Sequence, residues 1–336
     1  MFVDTLKGMT SIFDRRFLMH VFFPCLVFWG LLFVVWFTGA EGLFEAVRRW
    51  RGQEGFDQAV EAVCFVVAVY LFSIMLVGKM RAILQFYEGY WDFSGSRYLK
   101  EYGKARHQRI LKKLSYDTIS YNYPMRTREV MPTRLGNILK NAELYPTDRY
   151  QIDAVQVWPR LYGLLPENLV QAMDLSRGGM EHMLLLSSLG AAFALVAGGY
   201  LLVVQGEWWL FLLCFWGGLA VTWAAYGSAL GNAQLYGVQF KAAFDLYRNE
   251  LLKQLRKPLP ATQVEEKQTW KEVCQFLYRD HPRHSASWIY VDSDVSARKS
   301  DETGASRMTE TEDDRPLGPA EAEQSTPSKS AEPRDN

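Results

Sequence analysis

Apolar positions in this chain gather into long blocks instead of alternating with polar ones. Residues 183–204 and 208–230 carry no charged side chain, and only Gln205, Gly206 and Glu207 separate them. At ~1.5 Å of rise per residue each block, as a helix, can cross the ~30 Å hydrocarbon layer of a bilayer with every backbone polar group bonded internally. The pair reads as a transmembrane hairpin. Two earlier blocks, residues 17–40 and 62–78, read as a first hairpin. The first of them is longer than the ~7 to 15 residue apolar core of a secretory signal, so it is predicted to be retained.

Small residues recur inside the second pair of blocks. Gly190, Ala194 and Gly198 stand every fourth position, as do Ala220, Ala224 and Ser228. Each series would give its helix a face on which another backbone can approach closely, and both are expected to be packing seams. After residue 230 the pattern becomes a stripe. Tyr236, Phe240, Phe244, Tyr247, Leu251 and Leu255 follow one another at spacings of three and four until Pro258, so the fourth helix should project ~35 Å beyond the membrane. In water such a stripe must be covered, either by the central segment of the same chain or by another copy. The second reading makes Tyr236, Phe240, Phe244, Tyr247 and Leu251 self-association residues and the protein a homo-oligomer. Thr262 and Glu265 then have the spacing of a capping box for one more helix, carrying Trp270, Val273, Phe276 and Leu277.

These patterns predict an all-α integral membrane protein in six parts. They are an N-terminal arm (1–16), a first transmembrane hairpin (17–78), a central helical segment (79–182), a second transmembrane hairpin (183–230), C-terminal helices (231–291) and a tail (292–336). The tail has twelve acids against six bases and almost no apolar residues, so it should be disordered.

Composition changes the picture only a little. Of 336 residues, 49% are hydrophobic and 14% aromatic, and the clustering of these residues is what points to a membrane. Lys+Arg and Asp+Glu both number 37, so no overall charge points to a nucleic-acid partner. Cys25, Cys64 and Cys214 lie in apolar blocks and Cys274 in a polar region, which is neither a disulfide framework nor zinc spacing. Local charge is more telling. Lys7, Arg15, Arg16, Lys79, Arg81, Arg177, Lys241 and Arg248 all flank the blocks on one side. The other side has Arg48, Arg49 and Arg51 among four acids, and no base in the turn at 205–207. The positive-inside rule therefore puts both termini and the central segment in the cytoplasm.

Any cytoplasmic chemistry would have to reside in the central segment. Arg97, Lys100, Lys104, Arg106, Arg109, Lys112 and Lys113 against the single acid Glu101, with Leu99, Tyr102, Ile110, Leu111 and Leu114, make a basic amphipathic helix. It suits either contact with anionic lipid headgroups or a solvated outer face. Beyond it, Pro132, Pro146, Pro159 and Pro166 are expected to cut the chain into short pieces, with Thr133 and Thr147 as N-caps. Arg128, Arg134, Asn137, Glu143, Asp148, Arg149, Asp153, Trp158 and Arg160 are the candidate ligand or partner contacts, because planar donors and paired charges of this kind bind phosphate or carboxylate groups. The same residues also suit internal ion pairs.

The run Met131-Pro-Thr-Arg-Leu-Gly-Asn, then Tyr145-Pro-x-x-Arg-Tyr-x-x-Asp153 and Trp158-Pro-Arg-Leu, resembles a segment of uncharacterised bacterial multi-pass membrane proteins. The resemblance covers about 35 residues. It implies a bacterial inner (plasma) membrane and says nothing about mechanism.

No phosphate-binding glycine loop, nucleophile elbow or His-Glu-x-x-His is present, and no cofactor or metal is expected. The membrane blocks hold no Asp, Glu, Lys or Arg, which disfavours proton-coupled transport. Three readings remain. The leading one is a non-enzymatic, self-associating or partner-binding membrane protein. The others are an oligomeric channel or effector pore, and a membrane-bound enzyme or ligand sensor built on the Arg-rich segment.

Overall fold

The computed structural model describes residues 17–40, 48, 52, 55–113 and 122–278. The arm at 1–16, nearly all of the first loop, residues 279–291 and the tail expected to be disordered at 292–336 lie outside the described residues. Within them the fold is all-helical, with no strand. A short π-helical turn, Leu18–Phe22, leads into α1 (Phe23–Ala40); then come α2 (Gly55–Gly78), α3 (Met80–Glu88), α4 (Ser96–Leu111), α5 (Arg134–Tyr150), α6 (Ala154–Tyr162), α7 (Glu167–Val203), α8 (Trp208–Gln254) and α9 (Gln263–Tyr278). Four helical stretches are long and apolar enough to cross a membrane: Leu18–Thr38, Gly55–Gly78, Glu167–Val203 and Trp208–Gln254.

The antiparallel pair α7 and α8 is the axis of the molecule. They close to backbone contact where small residues meet: a Cβ on Gly218 would sit 2.8 Å from both the Ala194 Cβ and the Gly190 carbonyl oxygen. Gly190, Ala194 and Gly198 thus form the α7 side of the seam, Gly198 against Phe215. The α8 side is not the predicted one. Ala220, Ala224 and Ser228 are exposed, and Cys214, Gly218, Ala225 and Ala229 are the buried positions. The physical reason is phase. The observed series runs on through Ala233 and Gly237 to Phe240 and Phe244, so one continuous face stays buried along the whole helix, whereas Ala220, Ala224 and Ser228 lie out of register with it.

Four apolar clusters are strung along this axis. At the end near the α7–α8 turn, Val35 of α1 meets Ala197, Leu201 and Cys214. Next, Cys25 and Phe28 of α1 and Val69 of α2 pack on Leu185 and Leu189. The third cluster joins Leu135 and Ile138 of α5 to Met180, Leu184, Ala229 and Ala233, with Ile83, Leu84 and Tyr87 of α3 against it. Tyr87 also ties three helices polarly: its hydroxyl donates to Ser187 Oγ at 2.9 Å, and Ser187 Oγ donates to the Thr222 carbonyl at 3.0 Å.

The fourth cluster is the core of a cap built on the far ends of α7 and α8. It buries Tyr150, Ile152, Val157, Leu161, Met173, Phe240, Phe244, Leu251, Leu252, Trp270 and Val273, with Tyr236, Tyr247 and Trp158 packed on it. The stripe on α8 is therefore covered by α5, α6 and α9 of its own chain. Of the residues expected to pair between copies, Phe240, Phe244 and Leu251 are buried in this core and Tyr236 and Tyr247 are half-buried against it, so the first of the two expected covers, the chain itself, accounts for most of the stripe. Fully burying an aromatic side chain yields ~1.5 to 3 kcal/mol, so opening this core to a partner would forfeit much of the cap's stability.

Two prolines mark helix starts as predicted and two do not. Pro132 precedes the N-cap of α5 and Pro166 is the N-cap of α7. Pro146 and Pro159 lie inside α5 and α6, so α5 runs on to Tyr150, and Thr147, expected to be a cap, donates its hydroxyl to the Ile152 carbonyl at the helix end.

Candidate functional site

The central segment begins with a joint between α3 and α5. Thr133 has extended backbone and its Oγ1 accepts from Gly136 N at 3.0 Å, the N-cap bond the sequence predicts. The same hydroxyl donates to the Glu88 carbonyl at 2.9 Å, so one side chain caps α5 and clasps the end of α3. Asn137 is fully buried and closes the loop before it. It accepts from Met131 N at 2.8 Å and donates to the Met131 and Thr133 carbonyls. The carboxyl of Glu88 sits half-buried at this joint near Glu143 and Lys140. Burial first, then the negative charge of Glu143, pushes its pKa from 4.5 up to about 7, with Lys140 acting against the shift.

A second polar cluster lies where α5 meets α8. Tyr145 and Tyr150 both donate to the Asp245 carboxylate, Tyr150 at 2.6 Å and Tyr145 at 2.9 and 3.1 Å to its two oxygens. The Arg248 guanidinium lies 4.1 Å over the Tyr150 ring, and its Nε pairs with Glu266 of α9 at 2.6 Å. Arg248 also donates to the Asp245 carbonyl. Lys241 and Arg149 stand over the Tyr145 ring at 5.3 and 5.7 Å. Burial, with the hydrogen bond and charge of Asp245, holds the Tyr145 phenol above its ordinary pKa, so it stays a proton donor. Tyr150 is raised by the same causes. Two phenols donating to one carboxylate, with Arg248 paired to Glu266 beside them, make a clasp that binds α5, α8 and α9.

The candidate contacts named from sequence do not converge. Asp148 pairs with Arg126 at 2.6 Å, Glu143 with Lys140 at 2.9 Å, and Arg128 with its neighbour Glu129 at 3.4 Å. Asp153 is the N-cap of α6, accepting from Val155 N and Gln156 N. Arg160 donates to the Gln156 carbonyl, Trp158 packs against Phe240 and stacks on Phe244, and Arg134 is exposed. Only Arg149 belongs to a larger cluster, through Tyr145 and Tyr150. Asp245, Glu266 and Glu88 escaped the sequence reading, and Arg248 entered it only as a base flanking the fourth block. A usable signal existed for Asp245: a carboxylate directly beside Phe244 in an apolar stripe must find donors once that face is buried.

On helix α4, Leu99 and Tyr102 of the expected apolar stripe are exposed, Ile110 and Leu111 are half-buried, and Leu114 lies outside the described residues; the face that docks is made of Ser96, Gly103 and His107, with Gly103 against Pro132 and His107 Nδ1 3.0 Å from the Tyr123 hydroxyl. Its outward face carries Tyr98, Tyr102, Arg106 and Arg109, and the exposed Lys112 and Lys113 follow directly after its end. Among the described residues no cluster of His, Cys, Asp or Glu could hold a metal ion. No family model, curated protein or solved structure matches this chain.

Proposed function

We propose that this chain is a non-enzymatic integral membrane protein of the bacterial inner membrane. It crosses the bilayer four times in two hairpins, with both termini and the cap in the cytoplasm. Its cap holds a partner surface against the membrane through the outward face of α4. The observation that carries this reading is the contrast between Asp148, Glu143, Asp153, Asp245, Arg248 and Glu266, which are held in joints and caps within the chain, and the exposed basic face of α4, a helix with Glu101 as its single acid. Each Lys or Arg held near an anionic leaflet contributes about 1 kcal/mol, so four or five of them suffice to keep α4 on phosphatidylglycerol headgroups. Tyr98 and Tyr102 suit the same depth, with an apolar ring and a polar tip.

Cysteine labelling tests both halves of the proposal on a background without the native thiols. In intact cells Gly52→Cys should react with an impermeant maleimide and Val155→Cys only after permeabilisation; labelling of Val155→Cys from outside would sink the topology. In nanodiscs Tyr98→Cys should react more slowly with phosphatidylglycerol present than in phosphatidylcholine alone. Equal rates would remove the lipid contact.

A further inference from the structure

A cavity of about 660 Å³ opens between α1, α2 and α7, in the half of these helices remote from the cap. That volume is typical of small-molecule sites, ~300 to 1,000 Å³. Val35, Val69 and Ala197 form its buried floor, and its exposed rim includes Phe33, Trp36, Ala68 and Val196. The one polar side-chain group in the lining besides the indoles is the Tyr200 hydroxyl, and it already donates to the Trp36 carbonyl at 3.0 Å, with the two rings stacked at 5.0 Å.

We infer that this cavity is a binding site for one acyl chain of a membrane phospholipid from the leaflet away from the cap. The inference rests on the reading that α1, α2 and α7 lie in the bilayer. Water does not suit the cavity, because a buried water needs about two to four polar partners and, with the Tyr200 hydroxyl engaged, the lining side chains offer only the two indole N–H groups of Trp29 and Trp36. Emptiness does not suit it either, since walls facing a void lose their dispersion contacts. A helix from another copy is excluded from close approach by the rim: membrane helices pack through small residues, whereas Phe33 is 55% and Trp36 59% exposed here. A hydrocarbon chain is thin enough to pass between those rings and matches the floor chemically. With no charged group inside, the headgroup stays outside the cavity and the site selects for the chain.

Full-length protein from phosphatidylcholine–phosphatidylglycerol nanodiscs, transferred to mild detergent and weighed intact, gives the test. The unmodified protein should retain one phospholipid. Ala68→Trp and Val196→Phe, which fill the cavity from its rim, should lower the lipid-bound fraction about tenfold, while Val63→Trp, exposed on α2 outside the lining, should keep it. In the unmodified protein, a phosphatidylcholine carrying a diazirine on its acyl chain should cross-link to peptides around residues 29–37, 65–69 and 196–200. The inference is overturned by the absence of a retained lipid, by equal retention in the filled variants, by cross-links confined to other peptides, or by a dimer whose contact maps to the cavity. If a filled variant fails to fold, the cross-link map of the unmodified protein decides. Resistance of the protein to carbonate extraction is scored separately, so that a failed topology is told apart from an unoccupied cavity.

Discussion

Gly136 shows how little tolerance the α3–α5 joint has. A Cβ there would lie 2.2 Å from the Glu88 carbonyl oxygen, which is itself held by Thr133, so neither neighbour can yield without breaking the clasp. Gly136→Ala should therefore destabilise the detergent-solubilised protein by about 1 to 3 kcal/mol, the usual range for overpacking. Gly178 in α7 has nothing within 4 Å of its added Cβ, and Gly178→Ala should instead stabilise by about 1 kcal/mol through helix propensity. Thermal unfolding of the two variants side by side checks the contrast; a loss on both would mean that the joint is not what limits Gly136. The same joint makes stability depend on pH through Glu88. Its folded pKa, about 7, lies above 4.5, so folding favours the protonated form; the stabilisation is complete below 4.5 and is lost as pH rises through 7. Melting temperature should accordingly fall between about pH 5 and about pH 8, and Glu88→Gln should flatten that fall. An unchanged slope in the variant would assign the pH dependence elsewhere.

At the scale of elements, the sequence was most legible where one physical rule acts alone. Long uncharged blocks gave the four apolar helices, Thr133 gave the start of α5, and Thr262 with Glu265 gave the start of α9, where Glu265 N donates to Thr262 Oγ1 at 3.3 Å. Legibility failed where two rules compete. Pro146 should end a helix by local preference, yet it is buried in α5, whose final turn is held by packing and by Thr147. On α8 two series of small residues interleave, and only the phase of the distant stripe at Phe240 and Phe244 selects the one that packs. Paired clusters such as Asp245 with Tyr145 and Tyr150 join residues about 100 positions apart, and no local pattern encodes them. The seam yields a direct prediction. Ala194→Leu and Gly218→Leu should lower stability in detergent and loosen α7 from α8, whereas Ala224→Leu and Val203→Leu, on exposed positions, should not. Equal melting of all four variants would show that close backbone approach is not what holds the pair.

Over the whole molecule the decisive feature is that α7 and α8 pass without interruption from the apolar half to the cap, over 37 and 47 residues. At ~1.5 Å per residue α8 alone is ~70 Å long, more than twice the hydrocarbon thickness of a bilayer. Met173 of α7 and Phe240, Phe244, Leu251 and Leu252 of α8 supply one wall of the cap core, while α5, α6 and α9 supply the other. Among the described residues, no point along α7 or α8 therefore separates the cap from the apolar half. A segment cut out as residues 122–182 would carry Val157, Leu161 and Trp158 with nothing to cover them, and α8 on its own would carry an uncovered aromatic stripe. The cap has no existence as a detachable module: it can complete its fold only after α8 has emerged in full, and whatever removes the apolar half of α7 and α8 removes the inner wall of the cap with it.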